Sequence, residues 1–129
     1  MATTYVGPGN TVNYSNTGSA ISAGDAVTLG ATGAVSLGIA LTDIAATTGV
    51  GAVAIDGVFT LTKLTGAVIV QGETVDWDTS AGSGAGAVDD NAMTPASGDI
   101  SDFGVAMESA GSGVLTIDVR LLPGNGAIT

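Results

Sequence analysis

Hydrophobic and polar positions alternate in short runs along most of the chain, and glycines separate the runs. In residues 114–121 an apolar side chain occupies every second position from Leu115 to Leu121, with polar side chains between them. Residues 51–61 show the same alternation over a longer stretch. A period of two is typical of a strand with one buried face. The pattern predicts strands at residues 11–14, 26–29, 34–41, 51–61, 67–70, 74–77, 104–107 and 114–121.

Helix signals are weak by comparison. Strong helix formers are scarce, glycine recurs throughout, and Val, Ile and Thr favour strands. Residues 43–48 could form one helical turn capped by Thr42 or Asp43, but an extended loop fits this stretch equally well. We therefore predict an all-β fold, a small barrel or sandwich of short strands with few or no helices.

The distribution of glycine and small polar residues predicts how the domain is organised. Residues 1–14 are predicted as an extended arm, residues 15–122 as a single β domain, and residues 123–129 as a flexible tail. Within the domain, residues 79–101 form a glycine-rich excursion, with a short strand near residues 92–94 as one interpretation.

Three blocks of the first half recur in the same order in the second half. Each pair keeps the apolar alternation and the turn glycine or acidic residue in place. A glycine-punctuated β chain shows chance echoes of this kind, but the shared order of three blocks favours an internal duplication. It predicts two three-stranded units related by a pseudo-twofold axis around one core. The paired blocks are residues 24–29 with 72–77, 37–42 with 103–108, and 51–59 with 113–121.

Composition excludes most chemistry. The 129 residues include 21 Gly but no His and no Cys. Catalytic triads, thiol nucleophiles, disulfides and imidazole or thiolate zinc sites are therefore impossible. The net charge is −10 and Lys63 and Arg120 are the sole cations, so a row of phosphates cannot be neutralised. No membrane-spanning run is present, and we expect neither nucleic acid nor a membrane as a partner.

The acidic residues leave one weak possibility. A cluster of four aspartates could hold a cation loosely, and its first residues resemble the start of a calcium loop. Ala81 and Ala87 stand where such a loop needs glycine and glutamate. The alternative is that these side chains keep a strand end solvated, so we expect no metal, no cofactor and no enzymatic activity. The four aspartates are Asp76, Asp78, Asp89 and Asp90.

Several segments, taken in order, resemble one protein family. They are residues 5–9 (YVGPG), 21–27 (ISAGDAV), 38–43 (GIALTD), 54–63 (AIDGVFTLTK), 71–78 (QGETVDWD) and 119–121 (VRL). Together they are similar to small capsid cement, or head decoration, proteins of tailed phages. The resemblance covers residues 5–122. Residues 79–101 are longer and richer in glycine than the corresponding part of shorter members.

The resemblance implies a structural virion protein. It would bind the outside of the phage capsid as a homotrimer and cement neighbouring subunits of the major capsid protein, after synthesis in the cytoplasm of the bacterial host. Another phage structural module, such as a tail, spike or adhesin subunit, is the alternative. The side chains predicted to contact the capsid or another subunit are Tyr5, Val6, Pro8, Val12, Tyr14, Lys63, Trp77 and Arg120. For Trp77, a place in the core is the competing interpretation.

Overall fold

A computed structural model describes residues 7–129 of the chain. The described part contains ten strands and one 3-10 turn, Gly82–Gly84. None of its helical segments is long and apolar enough to cross a membrane. The strands are β1 (Thr11–Ser15), β2 (Ala26–Leu29), β3 (Ala34–Ala40), β4 (Val50–Ala54), β5 (Val58–Thr62), β6 (Thr74–Asp78), β7 (Ala87–Asp90), β8 (Ile100–Ala106), β9 (Thr116–Leu121) and β10 (Gly126–Ile128).

The strands form one curled antiparallel sheet, a half-barrel. The main path runs β1-β4-β3-β10-β8-β6-β7, with β2 paired to β3, and β9 paired to both β8 and β5. The predicted all-β fold is confirmed. Residues 43–48 form no helix, because Ile44 lies extended and bridges Ile21.

The internal duplication is visible in the strand pairing. The order β2-β3-β4-β1 of the first unit repeats as β6-β8-β9-β5 in the second. The pair Val27–Gly38 has its counterpart in Val75–Gly104. Even the isolated bridge of Ile21 recurs, since Ile69 bridges Ala110 in the second unit.

Two close contacts support the same correspondence. A Cβ atom added at Gly38 would meet the side chain of Val53, and one added at Gly104 would lie 2.5 Å from Cγ1 of Val119. Glycine is required at both positions because the neighbouring strand leaves no room for a methyl group.

The structure corrects the third block of the predicted repeat. Residues 51–61 are two strands rather than one, because the chain turns at Gly57 with φ of 112°. The alternation continues across this turn, so the hydrophobic pattern alone does not reveal it. As a result β4 corresponds to β9 at residues 116–120, and β5 is the counterpart of β1.

The second unit contains an extra strand. The glycine-rich excursion holds β7 rather than a strand near residues 92–94, and β7 pairs along the outer edge of β6. The N–H of Leu64 donates to the C=O of Val88 (2.9 Å), which joins β7 to the end of β5. In the second unit β7 therefore connects the edge strand β6 to the residues that follow β5.

The C-terminal end of the chain differs from its prediction, and the N-terminal end is described only in part. Residues 126–128 are not a flexible tail but the strand β10, which lies between the equivalent strands β3 and β8. This strand is too short to stand out in the sequence and is stabilised by pairing on both sides. Residues 11–14 of the predicted arm pair with β4 of the same chain, while residues 1–6 lie outside the described residues.

Candidate functional site

Lys63 is buried inside the second unit, with only 2% of its surface exposed. Its Nζ donates to the C=O of Leu64 (2.8 Å), Val114 (3.2 Å) and Thr65 (3.4 Å). Burial of a charge is tolerated only where hydrogen bonds replace water. The predicted role of this side chain as a surface contact is therefore wrong for the isolated subunit.

The first unit of the internal repeat also has a buried hydrogen-bond donor at the position that corresponds to Lys63. The N–H of Lys63 donates to the C=O of Leu115. In the first unit, the N–H of Asn16 donates in the same way to the C=O of Gly49, the counterpart of Leu115. Asn16 is also buried, and its Nδ2 donates to the C=O of Ser19 and Ala45. In both units one buried nitrogen ties the end of a strand to nearby loop carbonyls.

Trp77 belongs to the core. It is 6% exposed, and its ring meets that of Phe103 edge to face at a centroid distance of 5.8 Å. Edge-to-face pairs of this kind stabilise a core beyond the area they bury. An indole in this position contributes to folding and offers no surface for a partner.

The other predicted contacts are at or near the surface where they are described. Pro8 and Val12 are exposed, and Tyr14 is half-buried. Arg120 is exposed, with Nε 3.9 Å from Oδ1 of Asp56. Such an exposed ion pair adds little to stability, so Arg120 stays free to meet a partner. Tyr5 and Val6 lie outside the described residues.

A group of aspartates crosses the β6–β7 pair. Asp76 is buried and stands opposite Asp89, and it accepts the N–H of Asp102 at 2.8 Å. Burial raises the pKa of Asp76; the hydrogen bond from Asp102 opposes this rise, and the charges of Asp102, Asp89 and Asp90 add to it. Burial likewise raises the pKa of Asp89, while the hydrogen bond from the N–H of Asp90 and the charge of Lys63 oppose this rise.

Asp99 has the opposite balance. Burial favours its neutral form, but hydrogen bonds from Ala96 and Thr79 outweigh this and lower the pKa of its carboxyl. Oδ1 accepts both the N–H (3.0 Å) and the hydroxyl (2.9 Å) of Thr79, and Oδ2 accepts the N–H of Ala96 (2.9 Å). This carboxylate fastens the excursion to the strand end after β6.

Replacing Asp76 and Asp99 by asparagine should change Tm in opposite directions, because their pKa values are shifted in opposite directions. Because the folded pKa of Asp76 is raised, its stabilising protonated form is lost as pH rises through that pKa. Asp76→Asn should therefore raise Tm slightly at pH 7, and the gain should shrink towards about pH 3. Asp99→Asn should lower Tm at pH 7, and that loss should diminish as pH falls. Thermal unfolding followed by circular dichroism across this range tests both, and two variants with the same sign at pH 7 would contradict the assignment.

The four predicted aspartates do not form a metal cage. In residues 7–129 no three acidic side chains come together in an arrangement suited to a cation. Asp78 instead stabilises the turn that follows it, where its Oδ1 accepts the N–H and the hydroxyl of Ser80.

Five exposed apolar side chains lie on two neighbouring segments of the second unit, and the sequence analysis did not predict them. Ile69 and Ala110 exchange backbone hydrogen bonds, and Gly113 donates to Thr65, so the segments 65–70 and 107–115 run side by side. Their exposed side chains are 42–62% accessible. We call them the apolar rim: Val68, Val70, Met107, Val114 and Leu115.

The repeat would have revealed most of this rim. The equivalent positions of the first unit are mainly small or polar, with Leu41 as the exception. The predicted pairing of residues 51–59 with 113–121 is four residues out of register, because residues 50–54 correspond to 116–120, and this hides the counterparts of Val114 and Leu115. Those first-unit positions are Ala20, Ser22, Leu41, Thr48 and Gly49.

Comparison with known proteins adds a family assignment. A family model described as phage cement protein matches residues 6–121. This range includes both units and every strand except β10. No curated protein and no solved structure gives a significant match.

Proposed function

Since the chain belongs to the phage cement protein family, which indicates a structural role on a phage capsid, we propose that it binds the outer surface of the head and cements neighbouring major capsid subunits. The observation that carries the proposal is the family match over both units of the repeat. Exposed apolar side chains among the described residues support it, because they offer a surface that a capsid subunit could bury.

The apolar rim is the surface that we assign to this contact. Contiguous exposed apolar side chains on a small protein mark places where another macromolecule binds. The rim sits on a chain of net charge −10, so burial of apolar area rather than attraction to an acidic surface would drive binding.

A homotrimer is the form in which we propose that the protein acts. Three copies of a weak contact, held together, bind a repeating shell far more tightly than one copy. The trimer would have three times the chain mass of 12.3 kDa, which light scattering across a dilution series measures directly. Pro8, Val12, Tyr14 and Arg120 remain proposed contacts of this assembly, as do Tyr5 and Val6.

A charge placed in the rim should weaken head binding. Val70→Asp introduces a carboxylate at an exposed rim position whose backbone N–H already donates to Glu73. Ser22→Asp is the matched control, because the N–H of Ser22 donates to Asp25 in the same way in the first unit. We expect at least a tenfold loss of binding for Val70→Asp, since burying an unpaired charge costs several kcal/mol, and close to full binding for Ser22→Asp.

The measurement uses purified heads that lack the protein. Each variant is added to the heads, unbound protein is removed, and the bound copies and the temperature of head disruption are determined. Wild-type protein that binds and raises this temperature supports the cement function. Wild-type protein that does not bind would refute it, whereas equal binding by the two variants would refute only the assignment of the rim.

A further inference from the structure

A charged and an apolar side chain stand in each other's usual place where β5 meets β9. The register of the pair puts Lys63 opposite Leu115, one step beyond Thr62 and Thr116. Lys63 has 2% of its surface exposed, whereas Leu115 is 62% exposed. Lysine is rarely buried and leucine usually is, so burial of apolar area alone would favour the opposite arrangement.

The alternation of β9 stops at the same point. Ile117, Val119 and Leu121 face the core, with exposures of 0%, 0% and 1%. Continued alternation would place Leu115 on that buried face. Residues 114 and 115 instead lie outside the strand, and both side chains are exposed. Hydrophobic burial therefore does not set the direction of these two side chains.

Hydrogen bonds from Lys63 account for this path of the chain. Its N–H donates to the C=O of Leu115 (2.8 Å), and its Nζ donates to the C=O of Val114 (3.2 Å). Successive carbonyls of a regular strand point to opposite sides, so binding both to one residue draws the chain out of the strand path. Nζ also donates to the C=O of Leu64 and Thr65. The ammonium group therefore joins the start of one rim segment to the end of the other.

The first unit has neither the charge nor the exposed side chain at this place. Asn16 stands where the second unit has Lys63, and its N–H donates to the C=O of Gly49, the counterpart of Leu115. Its Nδ2 donates to the C=O of Ser19 (2.7 Å) and Ala45 (3.1 Å). A neutral donor thus suffices where the facing residue has no side chain, and the ammonium group occurs where that residue is a leucine.

We propose that the buried ammonium group of Lys63 positions the apolar rim, by holding Leu115 outward as the rim's principal contact with the major capsid subunit. Leu115 is the most exposed of the five rim side chains. An ammonium group supplies three donors, and its hydrogen bonds are stronger than those between neutral groups. A contact that is ordered before its partner arrives loses less conformational entropy on binding. The capsid contact rests on the proposed function, whereas the positioning concerns the free protein.

Amide hydrogen exchange in the free protein tests the positioning. In Lys63→Met we expect the amides of residue 63 and Gly113 to exchange about tenfold faster, because the bonds that they donate to Leu115 and Thr65 lose the support of the ammonium group. Asn16→Leu is the matched control, since it removes the corresponding buried donor from the first unit and should leave both amides protected. Unchanged exchange in Lys63→Met would overturn the proposal, and so would equal acceleration in the two variants.

Lys63→Gln serves where Lys63→Met does not fold. Glutamine keeps an amide donor but has no charge, and its nitrogen lies one atom nearer the backbone. We expect the amide of Gly113 to exchange faster in this variant than in the wild-type protein. Protection equal to that of wild type would show that the ammonium group is dispensable and would overturn its positioning role.

A double-mutant cycle on purified heads that lack the protein tests the contact. Leu115→Ser should weaken binding about tenfold, and Lys63→Met should weaken it in wild type but add little in the Leu115→Ser background, because Lys63 acts through Leu115. Leu41→Ser, which changes an exposed leucine of the first unit, is the control and should bind like wild type. Additive losses, or full binding by Lys63→Met, would overturn the proposal. Heads that do not bind wild-type protein would refute the cement function and this contact with it, while the exchange test still decides whether Lys63 holds the rim.

Discussion

Trp77→Ala is expected to lower the free energy of unfolding by about 3–5 kcal/mol, the cost of deleting a large buried aromatic side chain. Trp77 is 6% exposed and stands between Phe103 and Val88, so its removal leaves a cavity in the larger of the two cores. A small domain has about 5–15 kcal/mol of stability in total. The variant should therefore be close to unfolding at 37 °C.

The duplication provides the control for this experiment. Leu29 occupies the position of Trp77 in the first unit but is only half-buried, so Leu29→Ala should cost about 1 kcal/mol in the dilute protein. Urea unfolding followed by circular dichroism measures both variants, because the protein has no second Trp for fluorescence. Equal losses would contradict the difference in burial between the two units.

Lys63→Met is expected to lower the free energy of unfolding by about 2 kcal/mol, although it replaces a buried charge with an apolar side chain of similar length. The substitution relieves the desolvation of the ammonium group but leaves the carbonyls of Leu64 and Val114 without their donor. A buried polar group without a partner costs about 1–3 kcal/mol. We expect the loss of these bonds to outweigh the gain, because a Met side chain at a position with only 2% of its surface exposed supplies no donor and keeps water out.

Arg120→Met is the matched control, since it removes the same charge from an exposed side chain. Arg120 makes a single long contact with Asp56, and surface changes of this kind stay within about 0.5 kcal/mol. Chemical unfolding of the two variants in one buffer gives the comparison. Lys63→Met as stable as wild type would show that the buried ammonium contributes no net stability.

Much of this fold is readable from alternation alone. Strands such as β1, β2, β6 and β9 are found within two residues of their predicted bounds, because a glycine two or three residues before each one marks where it starts. The duplication is also readable, since its turn residues recur before β2 and β6. The pattern fails at Gly57, where apolar alternation continues through a turn, and at β10, whose three residues carry too little pattern.

The site was less predictable for a physical reason. Lys63 appeared exposed because a lysine usually is, but its acceptors include the C=O of Val114, 51 positions away along the chain. The apolar rim likewise depends on the pairing of Ile69 with Ala110. Contacts between such distant segments are set by tertiary structure and leave no local signal.

The central claim is that this protein sits on the outside of the head, and electron cryomicroscopy of purified virions tests it most directly. We expect density that fits three copies of the half-barrel at the threefold or quasi-threefold positions of the outer shell, each touching more than one major capsid subunit. Density confined to the tail or its spikes, with a bare outer shell, would contradict the cement function and favour another structural role in the virion.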